Sequence, residues 1–179
     1  MQLQGLADSA KYIQSILNRE LDTIPSKNII LGGLSQGCAM ALPVLLSLKF
    51  PLGGFVGMSG WLPFRNDIDE IILPQGSAGD AAPFLFDGVD ESADQDPSAA
   101  AINFARDILL MDPLNILILS HEQTCLTTPV FLGHGENDEK VRCKLGEEAA
   151  QTLTSLGMQV TWKSYPGLGH WYNINEPLE

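Results

Sequence analysis

The stretch NIILGGLSQGCAM, residues 28–40, sets Ser35 between Gly33 and Gly37 directly after an apolar run. A serine hydroxyl is a weak nucleophile until a base takes its proton, and the base needs an acid to orient it. Three histidines are available, His121, His134 and His170. His170 lies in YPGLGHWY, a glycine-rich loop after the last predicted strand and downstream of every candidate acid, and it is the base of choice. His134 stands at a strand end, and His121 falls in an acidic stretch. The acid is sought in GHGENDEKV, where Glu136, Asp138 and Glu139 share one loop and spacing alone does not choose among them. The order serine, acid, histidine is the one expected when all three stand at strand ends of an α/β sheet.

Such a serine needs a tight turn from strand to helix, with its hydroxyl exposed and the helix N-terminus beneath it. Glycines at 33 and 37 fit this, since a Cβ at either position is expected to collide with the neighbouring strand and helix. The surrounding pattern supplies the turn. Leu6, Ala10, Ile13, Ile16 and Leu17 recur at helical spacing and predict an amphipathic helix over 6–20, followed by a polar turn through Pro25 and Ser26. Residues 28–31 form a short apolar strand whose lack of alternation predicts a sheet covered on both faces. A buried helix follows over 35–48, bent or bounded at Pro43 and ended near 51–54. Residues 55–58, 130–132 and 159–164 read as further strands, and 145–156 as a helix capped by Gly157. Strands alternating with helices predict a mostly parallel α/β sheet.

Between Pro63 and Thr128 the composition changes. Nine acidic residues, from Asp67 to Asp96, meet no Lys or Arg between Arg65 and Arg106, and Gly, Ser, Ala and Pro are frequent over 74–100. Such a segment buries too little apolar surface to order itself alone. Residues 101–110 read as helical again, with Phe104, Ile108 and Leu109 on one side. The chain is therefore read as one domain, 1–179, with an acidic, partly mobile insertion at 66–127 serving as a lid or as a surface loop.

The 179 residues are 45% hydrophobic and 18% charged, enough for one domain with an ordinary core. A formal charge of −12 argues against a nucleic-acid partner, which calls for a basic surface. No apolar run is long enough for stable membrane insertion. Cys38, Cys125 and Cys143 are odd in number and lack metal-ligand spacing, which predicts free thiols in a reducing compartment. The first residues lack the basic and apolar regions of a signal peptide. A cytoplasmic, soluble protein is expected.

GGLSQG, SGWLP, TPVFLGHGENDEKV and GLGHWY, in that order and with IPSKNIILGG as lead-in, resemble the acyl-protein thioesterase / phospholipase–carboxylesterase family of α/β-hydrolases. The resemblance covers nearly the whole chain outside 66–127, and the long insertion is similar to that of fungal-type members. It implies an α/β-hydrolase-like sheet, mostly parallel and flanked by helices, with Ser35 as nucleophile, His170 as base and Asp138 as acid of a catalytic triad. It further implies that Gln36 supplies one oxyanion-hole N–H and that Trp61 and Leu62 line the acyl pocket. The implied activity, within lipid metabolism, is hydrolysis of carboxyl esters or thioesters of acyl chains through an acyl-serine intermediate, with no metal or organic cofactor. Family members carry further residues before the nucleophile, among them the first strands and a loop bearing the second oxyanion donor. The chain is expected to be N-terminally shortened, lacking those strands, either as a fragment or truncated product or as a chain that forms a homodimer through the exposed sheet edge. Cys38 stands where many members have glycine, and a packing role is expected for it. Two other readings keep the fold: non-hydrolytic chemistry on a small metabolite, or a catalytically impaired binding or oligomeric protein.

Overall fold

A computed structural model describes residues 3–72, 96–115 and 124–170. Among the described residues four strands, β1 (Ile30–Leu34), β2 (Gly54–Met58), β3 (Val130–Gly135) and β4 (Val160–Tyr165), form one sheet in the order β1-β2-β3-β4. Every pair is parallel, with Leu31 beside Phe55, Phe55 beside Val130 and Val130 beside Val160. Parallel neighbours need crossovers, and helices supply them: α2 (Gln36–Leu46) between β1 and β2, and α5 (Cys143–Ser155) between β3 and β4. Helices α1 (Leu3–Leu21), α3 (Arg65–Ile72) and α4 (Pro97–Ile108) complete the described α-helices.

The register separates the two faces. One carries Leu31, Phe55, Val130, Leu132, His134 and Trp162 beneath α2 and α5, and Phe55, Val130, Leu132 and His134 are buried there. The other carries Ile30, Leu34 and Val56, which are 67%, 46% and 41% exposed. The expectation of a sheet covered on both faces is thus corrected: among the described residues the second face of β1 and β2 is open. The apolar run at 28–31 misled because the outward positions of the strand it opens hold Ile30 and Leu34, where a half-covered strand usually carries polar residues.

Helix α2 is buried along almost its whole length, from Cys38 to Leu46, which explains why its sequence shows no polar face. Pro43 lies inside it without ending it. On α1, Leu6, Ala10 and Leu17 are buried as the spacing predicts, while Ile16 turns outward. Helix α4 begins at Pro97, four residues before the predicted start. Asp96 caps it, accepting from the Ser98 N–H at 3.0 Å, and proline occupies the first turn, where no intrahelical donor is lost. Helix α3 was not predicted; its Ile68 and the Ala101, Ile102 and Ala105 of α4 belong to the main core. The described parts of the 66–127 stretch therefore pack on the sheet domain, while residues 73–95 and 116–123, on which the mobile and lid readings fall, lie outside the described residues.

Candidate active site

Ser35 stands between the end of β1 and the start of α2 with φ 55° and ψ −123°. A non-glycine residue held there costs on the order of 1–3 kcal/mol, so the surroundings must impose the conformation. They do so through the backbone. The Ser35 N–H donates to the Met58 carbonyl at 2.8 Å, and its carbonyl accepts from Ala39 N–H at 3.1 Å. Gly33 is required by close approach: a Cβ there would overlap the carbonyl carbon of Gly37 and the amide of Cys38. Gly37 is different. Among the described residues nothing lies within 4 Å of a Cβ built on it, so the expectation that both flanking glycines are sterically demanded holds for Gly33 alone. Gln36 is the first residue of α2, and its N–H is among the first-turn amides that a helix leaves without an internal acceptor.

The acid loop follows β3. Asp138 Oδ1 accepts from the N–H groups of Lys140 and Val141, both at 2.8 Å, and Oδ2 accepts from His170 Nδ1 at 2.8 Å. The two side chains are 0% and 6% exposed. Burial pushes the Asp138 carboxyl up, but the Val141 N–H, His170 and the Lys140 N–H outweigh it and hold the carboxyl below the usual range. Backbone bonds from Glu136 N–H to the Tyr165 carbonyl and from Asn137 N–H to the Leu168 carbonyl, both 3.0 Å, fasten this loop to the one that carries His170. The three acids that spacing left level are separated by these contacts. Glu136 accepts from the Ser164 hydroxyl at the surface, Glu139 is exposed, and Asp138 meets the histidine.

Trp61 and Leu62 follow β2 in a loop with a second strained residue, Ser59, at φ 47°. Leu62 is buried in the main core, and Trp61 is half-buried against a small interior cavity shared with Cys38, Leu132, His134 and Trp162. Cys38 is 1% exposed, and burial pushes its thiol up to about 12, against a smaller opposing effect of its bond to the Met58 backbone. That suits packing rather than reactivity.

Sequence reasoning passed over His134. Its Nε2 lies 2.8 Å from the Val141 carbonyl and 3.2 Å from Asp138 Oδ2, and its side chain is fully buried. The signal was present in the four-residue spacing from His134 to Asp138 within GHGENDEKV. Among the described residues no cluster of His, Cys, Asp and Glu could hold a metal ion, and no helix is long and apolar enough to cross a membrane.

A parallel sheet with a strained serine at one strand end and a buried Asp–His pair at another defines an α/β-hydrolase type of fold. Solved structures agree on the fold. Arabidopsis thaliana SOBER1 superposes with a TM-score of 0.61 at 22% identity, over 97% of this chain and 60% of that one. Zea mays acyl-protein thioesterase 2 gives 0.57 at 23%, over 97% and 61%. Residues 1–74 and 112–176 match the Phospholipase/Carboxylesterase family, and the chain belongs to that family. Acyl-protein thioesterase 1 of Gibberella zeae is 29% identical over 168 residues, 93% of this chain and 52% of that protein. The chain spans about half the length of the curated relatives it matches.

Proposed function

We propose that this chain is a serine hydrolase that cleaves carboxyl esters or thioesters of acyl chains through an acyl-serine intermediate. The observation that carries the reading is the buried Asp138–His170 pair at 2.8 Å, on the same rim of the sheet as a serine held at positive φ. With Nδ1–H donated to Asp138, Nε2 is the basic nitrogen of His170 and takes the proton of Ser35 as the hydroxyl attacks the acyl carbonyl. The Asp138 carboxylate stabilises the imidazolium that forms. The Gln36 N–H, at the positive end of α2, is a donor for the developing oxyanion. His170 then protonates the leaving thiol or alcohol, and water repeats the cycle on the acyl-serine. The names of the relatives, acyl-protein thioesterase and probable carboxylesterase, support this substrate class.

Trp61, half-buried beside the elbow, is assigned to the acyl pocket under the same reading; the burial of Leu62 suits a role in supporting the loop rather than touching the acyl chain. A cytoplasmic setting is part of the proposal, supported by three free cysteines. So is pairing of β1 with a second copy, supported by its place at the end of the described sheet and by the exposure of Ile30 and Leu34 on its uncovered face. Sedimentation velocity at micromolar concentration tests the pairing, and a monomer would remove it. The catalytic reading is tested by acid release from p-nitrophenyl acyl esters, and thiol release from acyl thioesters, of graded chain length. Turnover by the native chain and a loss of at least about 10⁴-fold in Ser35→Ala are expected. Equal turnover by the two proteins would contradict the assignment of Ser35.

A further inference from the structure

We propose that His134 is a positioning residue for the acid of the site: its Nε2–H holds the Val141 carbonyl and thereby fixes the turn whose amides aim Asp138 at His170. The proposal rests on reading Asp138 and His170 as the acid–base pair.

His134 is the fifth residue of β3, with its side chain on the helix-covered face beside the Trp162 ring, 6.3 Å between centroids. Nε2 faces two oxygens, the Val141 carbonyl at 2.8 Å and Asp138 Oδ2 at 3.2 Å. Neither can donate, Asp138 being a carboxylate, so Nε2 must carry the proton. The other nitrogen agrees. Nδ1 is buried without a hydrogen-bond partner among the described residues and lies against Gly146, where a Cβ would stand 2.5 Å away. A proton on Nδ1 would leave one buried donor unmade and set a lone pair against two acceptors, so the packing selects a single tautomer.

The consequence runs through Val141. Its carbonyl is held by His134 and its N–H by Asp138 Oδ1, so one residue of backbone is clamped between two buried side chains. The Lys140 N–H makes the second bond to Oδ1, and the Asp138 N–H closes the turn on the Gly135 carbonyl at 3.3 Å. With Oδ1 fixed by two amides, rotation of the carboxylate is blocked and Oδ2 is directed at His170 Nδ1. Removal of His134 frees the Val141 carbonyl and loosens the first of these constraints, although His134 itself touches no substrate.

The test begins with the native protein labelled with ¹⁵N at histidine. Two-bond ¹H–¹⁵N spectra are expected to show His134 protonated on Nε2 and bare on Nδ1; the opposite tautomer would overturn the proposal. That result is read on His134 itself and can overturn the proposal even in a chain that turns over nothing. His134→Gln, which returns an N–H near the Nε2 position, and His134→Leu, which does not, then separate positioning from packing. The downfield Nδ1 proton of His170, bonded to Asp138, should persist in the Gln variant and be lost or broadened in a folded Leu variant. Phosphonylation of Ser35 should slow by about tenfold or more in Leu and recover most of that in Gln. Should the Leu variant not fold, loss of the His170 resonance in the Gln variant would by itself overturn the proposal, as would its full retention in a folded Leu variant.

Discussion

The two halves of the site are built on opposite physical grounds. Ser35, at the end of β1, is held among the described residues by backbone: a positive φ, one amide bond to Met58, and a gap kept clear by Gly33. Asp138, two strands away, is held by side-chain chemistry, with two amides on one oxygen, His170 on the other and no exposed surface. The difference follows from what each group must do. A nucleophile has to be approached, so its position is set by sterics and strain in the backbone rather than by ties on its side chain. A buried charge has to be compensated at every lone pair, so its position is set by hydrogen bonds.

The contrast can be broken from either side, and the largest effect is expected at the polar half. Asp138→Asn keeps the shape but turns an acceptor into a partial donor facing His170 Nδ1, and should cost about 10⁴-fold in kcat with the fold intact by circular dichroism. On the steric half, Gly33→Ala should destabilise by about 2–3 kcal/mol in denaturant titration, since its Cβ meets backbone that cannot move aside. Gly37→Ala, two residues after the serine, should change stability by less than about 1 kcal/mol. Equal losses at the two glycines would show that the elbow is not held as described.

Acidity sharpens the same comparison. The Asp138 carboxyl is depressed in the folded protein because the Val141 and Lys140 amides and His170 outweigh its burial. Its contribution to stability is therefore fully present above the ordinary aspartate range, about pH 4, and is lost as pH falls through that range toward the folded value. Native protein and Asp138→Asn, compared by denaturant titration across pH, should differ most near neutrality and converge in acid, whereas the gap for Gly33→Ala should not follow this titration. The smallest effect is expected at Cys38. With its thiol pushed up to about 12 and 1% exposed, it should resist iodoacetamide at pH 8 in the folded protein and react once denaturant is added.

What was legible in the sequence follows the same division. The parallel order, the strand-to-helix turn at Ser35 and the loop carrying His170 were readable because glycine spacing and apolar runs are local signals. Helix α3 was not, since its single buried position, Ile68, gains meaning only from α4 and α5 packed against it. The open face of β1 was hidden because Ile30 and Leu34 look like core in one dimension. Asp138 could not be told from Glu136 and Glu139 by spacing, because the choice is made by amides that a turn brings to one oxygen. His134 was missed because its shorter contact is to a carbonyl seven residues on, and the four-residue spacing to Asp138 was the one side-chain signal in the sequence.

The most direct test of the central claim is intact mass after incubation with a serine-phosphonylating probe, on the native chain and on Ser35→Ala. The account predicts one adduct on the native protein and none on the variant. A well-folded native chain that takes up no probe, or a variant that takes up as much as the native chain, would contradict it.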